Sequence, residues 1–489
     1  MSLKIFAKNT AVYSIGTIAV RISTFLLVPL YTHYLTVSEY GLLATLLLTT
    51  QILIMLIDFG MMPTLIRFAD EFEKKNNTSF LLGTMVFVNL ISGIIGLIFS
   101  VFVIRIILEL VFNIESGFNY AILIAVSAIA QCFTLNLLTY FRSINKAAFF
   151  ILNSILLTVL YLILTILFVT QLRWGIEGIL LSQIVSYGSF LIFIIIKIVK
   201  DVGLKISWHS LTEMIRFGFP LMFMRGGDLV FDASILYMLG YFTSSTDVGI
   251  FSLATKLASI LLVLLITPFQ LSYEPYIYSQ LDDKNLYERI SKIFSYLLLI
   301  FVFSSLILQI ALRGVILILA PAEYFSAYYL IFFILPIYAF RGINSISQTL
   351  IHIHKATNIT GFTVSIFTLL YIGVGYLLLP NFGILAAILT TNLYWISTTT
   401  VLLLVGQKKQ PVKFETKRII ILLSIYCVFS ATVYFLIDFE LIAFYLITLI
   451  TLFVIFYFII KSRFFNDKEK TILANFSLKI LDWLKFRFV

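Results

Sequence analysis

Long apolar stretches follow one another along almost the whole sequence. A helix needs about 20 apolar residues to traverse the hydrocarbon core of a bilayer. The pattern therefore predicts an all-α integral membrane protein with about fourteen transmembrane helices. The predicted spans are 10–31, 40–57, 79–104, 119–138, 148–170, 176–196, 217–240, 246–271, 293–312, 326–346, 357–379, 383–405, 419–437 and 441–460.

The composition excludes a soluble globular protein. Of the 489 residues, 61% are hydrophobic and 12% are charged, whereas soluble domains carry about 25% charged residues. The net charge is +10, but the basic residues lie scattered between apolar stretches, so we expect no nucleic-acid partner. The sequence contains no Walker loop, dinucleotide fingerprint or zinc-ligand spacing, and we therefore expect no cofactor and no metal site.

The distribution of lysine and arginine predicts the orientation in the membrane. If the N-terminus is cytoplasmic, 28 of the 34 basic residues fall on the cytoplasmic side, and three fall in outside loops. This bias follows the positive-inside rule. We therefore expect a multi-pass protein of the cytoplasmic (inner) membrane with both termini in the cytoplasm.

Three pairs of short segments recur at a nearly constant offset and indicate an internal repeat. The pairs are Tyr34–Gly41 with Tyr241–Gly249, Ile144–Ala147 with Ile353–Ala356, and Trp174–Ile176 with Phe382–Ile384. The repeat unit contains six predicted helices. Because six is even, both copies have the same orientation, and the repeat is parallel, about an axis along the membrane normal.

The repeat divides the chain into two lobes and a C-terminal addition. Residues 1–200 form an N-terminal lobe of six spans, and residues 201–410 form a C-terminal lobe of six spans. Residues 411–463 add two further spans, and 464–489 form a cytoplasmic tail. Within the tail, 471–488 has apolar residues at helical spacing. This segment is predicted either to lie on the inner leaflet or only to orient the last span.

Five ionisable residues stand out deep inside the predicted spans. Arg21 lies roughly 16 Å along the first span, at about 1.5 Å per residue. Arg225, Asp228 and Asp232 share one face of the seventh span because they are three and four residues apart, and Lys256 lies in the eighth. Charges at such depth normally face a partner or a hydrated cavity.

Two interpretations of these charges remain open. In the first, they pair internally: Arg225 with Asp228, Lys256 with Asp232, and Arg21 with whichever carboxylate is left. In the second, Arg21, Arg225 and Lys256 line a water-filled cavity that attracts an anion, and Asp228 with Asp232 forms a site for a coupling cation, H⁺ or Na⁺.

Other polar residues are weaker candidates. Arg67, Arg142 and Arg341 lie near predicted cytoplasmic helix ends, where they either set topology or form a basic entrance to the cavity. Uncharged polar residues within spans more often join neighbouring helices than contact a substrate. They are Gln51, Asn89, Gln131, Asn136, Gln183, Gln348 and Asn392.

Several motifs give the chain a resemblance to polysaccharide-export flippases of the Wzx, or O-antigen translocase, type. These proteins share a superfamily with MATE antiporters and MurJ lipid II flippases. The resemblance covers residues 1–460, and similar proteins often have an asparagine in the eleventh span, which Val364–Leu379 lacks. The motifs are Arg21, Leu35–Gly41, Asp58–Met61, Leu65–Phe68, Phe217–Leu221, Asp247–Ser252 and Leu379–Ile384.

The resemblance implies a substrate and a mechanism. The substrate is a polyprenyl-pyrophosphate-linked oligosaccharide for cell-surface polysaccharide, and the transport mechanism is alternating access between the lobes. The polyprenyl tail stays among membrane lipids and enters through a lateral gap between the first and eighth spans, where Arg21 and Lys256 meet the pyrophosphate. A glycan polymerase or chain-length protein is an implied partner.

Three alternatives differ in function. A multidrug antiporter of the same fold would use Asp228 and Asp232 to bind cationic substrates, although the excess of cavity cations disfavours it. A lipid II flippase is a close variant. A membrane glycan polymerase or transferase would need a larger outer loop with catalytic carboxylates, which the short outside loops do not provide, so we predict a transporter rather than an enzyme.

Overall fold

The described part of the chain is helical and contains no strand. The computed structural model describes residues 25–461 and Phe464, apart from Ser116, Asn145, Asp282, Lys284, Lys355 and Gln410. The backbone of Arg225 is described, but its side chain is not. Arg21 and the predicted amphipathic segment 471–488 lie outside the described residues.

The helices are numbered α1 to α14 in chain order. Two of them, α4 and α9, contain π-helical turns at Ser100–Ile104 and Leu262–Ile266, and α6 continues through such a turn to Gln171. The helices are α1 (25–34), α2 (Val37–Asp58), α3 (Met61–Lys74), α4 (Thr78–Phe112), α5 (Gly117–Ser143), α6 (Ala147–Ile166), α7 (Gly175–Asp201), α8 (Trp208–Phe242), α9 (Ser245–Tyr278), α10 (Leu286–Leu319), α11 (Ser326–His352), α12 (Thr357–Lys409), α13 (Thr416–Phe435) and α14 (Leu441–Lys461).

Ten helices among the described residues are long and apolar enough to cross a membrane, and Leu441–Tyr457 is a shorter apolar helix. These helices confirm the predicted all-α integral membrane fold. The helical segment Asn358–Lys409 has 52 residues, which at about 1.5 Å per residue exceeds any bilayer core. Gly383 interrupts it with φ 51° and ψ −131°, at the start of the predicted twelfth span. The total of fourteen spans stays a prediction.

The first repeated motif marks the starts of α2 and α9. The Thr36 hydroxyl accepts a hydrogen bond from the Glu39 amide at 3.2 Å, and the Glu39 carboxylate accepts one from the Thr36 amide at 2.8 Å. Ser244 caps α9 in the same way, accepting from the Asp247 amide at 3.1 Å. The recurrence at this position therefore reflects helix capping, in which a hydroxyl satisfies an unpaired amide of the first turn.

Glycines bring helices into backbone contact close to both ends of α2. A Cβ atom on Gly41 would overlap the Ser245 carbonyl oxygen and lie 2.6 Å from the Gly249 nitrogen, and one on Gly249 would overlap the Val37 carbonyl oxygen. Just after α2, a Cβ atom on Gly218 would lie 2.6 Å from the Gly60 carbonyl oxygen. Only glycine permits approaches this close.

The amphipathic helix α3 lies between the first two long spans. Its 14 residues bury one face, with Met61, Leu65 and Phe68 in an apolar cluster shared with α4, α5, α7 and α8. Arg67 and Lys74 are exposed on the opposite face. The helix occupies the segment predicted to be cytoplasmic.

The described residues form two compact units. The first comprises Val315–Pro411 with the described part of Met1–Asp282, and it contains the residues discussed below. The second comprises Asp283–Gly314 with the described part of Val412–Val489. Within the second unit, the Arg313 guanidinium donates to the Phe439 carbonyl oxygen at 2.6 Å, and the Gln309 amide donates to the Ser430 hydroxyl at 2.9 Å. The division into lobes 1–200 and 201–410, followed by 411–463 and 464–489, stays a prediction.

Candidate functional site

Two carboxylates lie one turn apart on α8 and have different partners. Asp228 accepts a hydrogen bond from the Tyr394 hydroxyl at 2.7 Å, and the ring of Tyr394 stacks on Phe231 with centroids 4.0 Å apart. Asp232 forms an ion pair with Arg341 of α11, at 2.8 Å. The residue spacing on α8 thus predicts their shared neighbourhood, and α11 and α12 supply the partners.

The contact of Asp232 differs from the internal pairing considered in the sequence, whereas the pairing of Arg225 with Asp228 stays a prediction because the Arg225 side chain is not described. Asp232 pairs with Arg341 rather than Lys256, and the partner shown for Asp228 is a tyrosine. Arg341 is also not near a helix end, because α11 continues eleven residues beyond it to His352. The predicted span, 326–346, ended too early, since α11 continues through polar residues such as Gln348. The Arg341 guanidinium also lies 4.5 Å from the centroid of the Trp395 ring.

Asp228 and Arg341 line a polar cavity of about 430 Å³, which we term the Asp228 cavity. Its lining comes from α8, α9, α11 and α12 and includes one further carboxylate, Glu274. Gln348, a weaker candidate in the sequence, lies here and donates to Asn344 at 3.4 Å. The lining residues are Asp228, Leu262, Gln270, Leu271, Glu274, Arg341, Asn344, Ser345, Gln348 and Trp395.

Lys256 lines a second cavity of about 480 Å³, the Lys256 cavity. Helices from both predicted copies of the repeat contribute to it: α1, α2, α5, α6 and α7 from the first, and α8 and α9 from the second. Lys256 is half-buried, and its ammonium lies 5.0 Å from the centroid of the Phe25 ring of α1. The lining residues are Leu27, Val28, Tyr31, Tyr40, Leu43, Ala44, Leu47, Leu48, Gln51, Gln131, Tyr161, Gln183, Tyr187, Leu236, Ser252, Thr255 and Lys256.

The lining of the Lys256 cavity gathers residues that the sequence left separate. Gln51, Gln131 and Gln183 come from α2, α5 and α7 and meet at this one cavity. Sequence reasoning missed the tyrosines Tyr31 and Tyr161, whose hydroxyls lie 3.1 Å apart. Tyrosine within an apolar span was the available signal, since a phenolic hydroxyl in hydrocarbon needs a partner.

Arg67 and Arg142 are not among the described residues that line the two cavities. Arg67 is exposed on α3, 5.3 Å from the ring centroid of Phe68, and Arg142 lies at the end of α5, 5.8 Å from that of Phe150. An entrance formed by Arg67, Arg142 and Arg341 stays a prediction.

Three asparagines among the weaker candidates make hydrogen bonds within the protein. Asn136 donates to the Asp58 carboxylate at 2.9 Å, and Asn392 donates to the Phe333 carbonyl oxygen at 2.9 Å. Both bonds join different helices, as polar residues in membrane spans often do. Asn89 is fully buried and donates to the Met85 sulfur at 3.4 Å.

The comparisons with known proteins agree with this fold. The polysaccharide biosynthesis protein family matches residues 6–281, and a search of curated proteins found no match. Among solved structures, the inward closed lipid II flippase MurJ has a TM-score of 0.70 at 13% identity, covering 92% of this chain and 99% of its own.

Two transporter structures match as well. An inward-facing multidrug resistance MATE transporter has a TM-score of 0.65 at 12% identity, covering 81% of this chain and 98% of its own. A MATE transporter of Vibrio cholerae has a TM-score of 0.57 at 15% identity, covering 84% and 97%. At these identities the likeness concerns the fold, and together with the family match it confirms the predicted resemblance to this superfamily.

Proposed function

The chain belongs to the polysaccharide biosynthesis protein family, and on this premise we propose that it is a flippase for a polyprenyl-pyrophosphate-linked oligosaccharide. It moves the glycan head across the cytoplasmic membrane by alternating access, for the biosynthesis of cell-surface polysaccharide. The solved structures that it matches are transporters and a flippase, which agrees with transport rather than catalysis.

The Lys256 cavity is the observation that carries this proposal. Moving a glycan through hydrocarbon would strip water from many hydroxyls, and each unpaired polar group costs roughly 2–7 kcal/mol. Glutamine, serine and tyrosine side chains in the cavity lining replace part of that water. A cavity lined in this way, inside helices of membrane-spanning length, lowers the barrier for a polar head while its lipid tail remains in the bilayer.

Lys256 supplies positive charge for the pyrophosphate. An ammonium suits phosphate oxygens because it donates charge-assisted hydrogen bonds without a fixed geometry. In our proposal, Arg21 and Arg225 join Lys256 in holding the pyrophosphate. Leu27, Val28 and Tyr31 of α1 line the same cavity as Lys256 of α9, which supports tail entry between these helices.

The Asp228 cavity is the proposed site of coupling to H⁺ or Na⁺. Asp228 and Glu274 line it, and Arg341 balances Asp232 at 2.8 Å. Conservative replacement Asp228→Asn should change the dependence of transport on the pH or Na⁺ gradient. Unchanged dependence on both gradients would exclude coupling through this carboxylate.

Multidrug antiport is the second candidate function. The acidic groups of the Asp228 cavity, beside the aromatic ring of Trp395, would suit a cationic aromatic substrate. Transport assays with a cationic dye and with a lipid-linked glycan separate the two functions directly.

A proteoliposome assay tests the flippase proposal. Purified protein is reconstituted with a fluorescent polyprenyl-pyrophosphate oligosaccharide, and the fraction moved to the opposite leaflet is measured with imposed ion gradients. We expect translocation by the wild type, a loss of about tenfold or more in Lys256→Ala, equivalent to about 1.4 kcal/mol, and partial recovery in Lys256→Arg.

Lys75→Ala is the matched control, since Lys75 is an exposed lysine whose partner is Glu71 at 2.8 Å. It should translocate at the wild-type rate. Transport of the cationic dye without any translocation of the lipid-linked glycan would overturn the flippase proposal in favour of the antiporter.

A further inference from the structure

One wall of the Lys256 cavity carries two hydrogen-bonded groups of hydroxyl and amide side chains, which together we term the polar row. The Tyr31 and Tyr161 hydroxyls of the first group lie 3.1 Å apart, and Gln183 of the second group lines the same cavity. The Ser127 hydroxyl donates to Gln183 at 2.8 Å, and the Gln131 amide donates to Ser127 at 2.8 Å. Four helices, α1, α5, α6 and α7, thus hold the row in place.

Mutual bonding fixes the positions of these groups before any ligand arrives. Gln131 and Gln183 are 5% and 8% exposed, and Ser127 is fully buried. Each ordered side chain has already lost its rotamer freedom in the folded protein, so a ligand does not have to order it on binding. Such preorganisation is what a recognition surface requires.

Gln51 stands apart from this row. It lies in the membrane-spanning helix α2, its side chain is exposed, and it lines the Lys256 cavity. Its side chain makes no hydrogen bond within the described part of the chain. A carboxamide provides two donors and an acceptor, so Gln51 offers the cavity a set of groups suited to a polar ligand.

The charge of the lining limits the chemistry of that ligand. Among the described residues that line this cavity, Lys256 alone is charged. The carboxylates Asp228 and Glu274 line the other cavity. The described lining of the Lys256 cavity therefore combines a cationic group with neutral donors, acceptors, tyrosine rings and aliphatic side chains and contains no carboxylate, which suits a ligand with an anionic end and an uncharged hydroxyl-rich body.

We propose that Gln51, together with the polar row from Tyr31 to Gln131, forms a subsite that recognises the uncharged sugar next to the pyrophosphate. The inference rests on the proposed flippase function and adds selectivity to it: Lys256 holds the phosphate, and the subsite distinguishes head groups by their hydroxyl and amide substituents. A site built to hydrogen-bond a substrate group discriminates against an analogue that lacks the group, because its own polar atoms then lose their partner.

Two synthetic substrates on the same polyprenyl pyrophosphate test this subsite. One carries N-acetylglucosamine and the other glucose, so that they differ only in the acetamido group. Initial translocation rates are measured in proteoliposomes for the wild type, Gln51→Leu and Tyr161→Phe, and the quantity compared is the ratio of the two rates.

We expect the wild type to discriminate between the substrates, and the ratio to change by about two- to twelvefold in each subsite variant, the factor that one net hydrogen bond provides. Lys256→Ala should slow both substrates and leave the ratio as it is. Gln171→Leu is the matched control, because Gln171 is exposed at the end of the α6 extension and lines neither cavity. It should leave both rates unchanged.

Both variants should fold and elute as monodisperse protein. Gln51 is exposed, so Gln51→Leu should keep the wild-type melting temperature. Tyr161→Phe preserves the aromatic ring but removes the hydroxyl contact with Tyr31, so its melting temperature should be only slightly lower. If both folded variants keep the wild-type ratio, or if the wild type does not discriminate, the subsite is overturned while the flippase function stands. If the wild type translocates neither these substrates nor the longer oligosaccharide, the flippase function itself fails.

Discussion

Replacing Gly249 with alanine should separate α2 from α9 at the point where their backbones touch. A Cβ atom on Gly249 would overlap the Val37 carbonyl oxygen. The reciprocal atom on Gly41 would lie 2.6 Å from the Gly249 nitrogen, whereas ordinary contacts begin near 3.5 Å. The two helices must therefore move apart by about an ångström.

The size of the effect follows from overpacking, which costs about 1–3 kcal/mol in a well-packed interior. The cost falls on the conformation in which α2 and α9 touch, and not on one in which they are separated. An energy difference of about 1–3 kcal/mol shifts a two-state equilibrium by a factor of about 5–150. In a transporter of the proposed type, this shift favours opening at the end predicted to face outside.

Distance measurements between spin labels report this shift. Ser38 and Thr246 are exposed at the starts of α2 and α9, and cysteines there carry the labels after Cys132 and Cys427 are replaced with serine. Double electron–electron resonance in lipid nanodiscs should show a larger share of long distances in Gly249→Ala. Gly188→Ala is the control, because a Cβ atom there meets nothing within 4 Å.

An unchanged distance distribution in Gly249→Ala, accompanied by a lower melting temperature, would refute the reasoning. It would mean that the crossing is a fixed contact that does not open during transport. An unchanged melting temperature and an unchanged distribution would show that the backbones are not in contact at this glycine.

Three further variants test the fold. Asp232→Asn leaves Arg341 without its counter-charge. The side chains of Asp232 and Arg341 are 34% and 21% exposed. We therefore expect the free energy of unfolding to fall by about 1–2 kcal/mol, less than the roughly 3–5 kcal/mol that breaking a fully buried pair costs. The double variant with Arg341→Met should recover much of the loss in detergent unfolding, and strictly additive losses would show that the pair is not coupled. Gly383→Ala forces a positive φ of 51° on alanine and should lower stability by about 1 kcal/mol or more. Gly373→Ala is the control, because a Cβ atom there meets nothing within 4 Å, and it should not destabilise the protein. Equal melting temperatures of the two variants would contradict the positive φ at Gly383. Thr36→Ala removes the capping box of α2 and should cost about 1 kcal/mol, seen as a lower melting temperature, and wild-type stability would show that the cap is dispensable.

The sequence predicts the helices well because their lengths are set by the bilayer. The second predicted span, 40–57, lies within α2 (Val37–Asp58), and the helix starts where the Thr36 capping box would place it. Ends are harder to predict where a helix continues beyond its apolar stretch. α4 reaches Phe112 and α11 reaches His352, and the second extension leaves Arg341 eleven residues from the end of its helix.

The candidate site is only partly accessible to sequence reasoning. Spacing along one helix shows that Asp228 and Asp232 share a face, but a partner on another helix depends on how the helices pack and rotate. This is why Arg341 and Tyr394 could not be assigned to them from the sequence. Lys256 was identified because a lysine in a membrane span requires an explanation, whereas each glutamine alone has a structural one.

The glycine contacts of α2 also determine how this helix can move. α2 has 22 residues, a length of about 33 Å, and it is held against α9 through Gly41 while the residue pair Gly60 and Gly218 binds the following turn to α8. Because α2 is a rigid helix held near both ends, releasing one of the two glycine contacts would let the helix rotate about the other. Each half of the transport cycle would then break one backbone contact, and the other contact would keep α2 aligned for its return to the starting position.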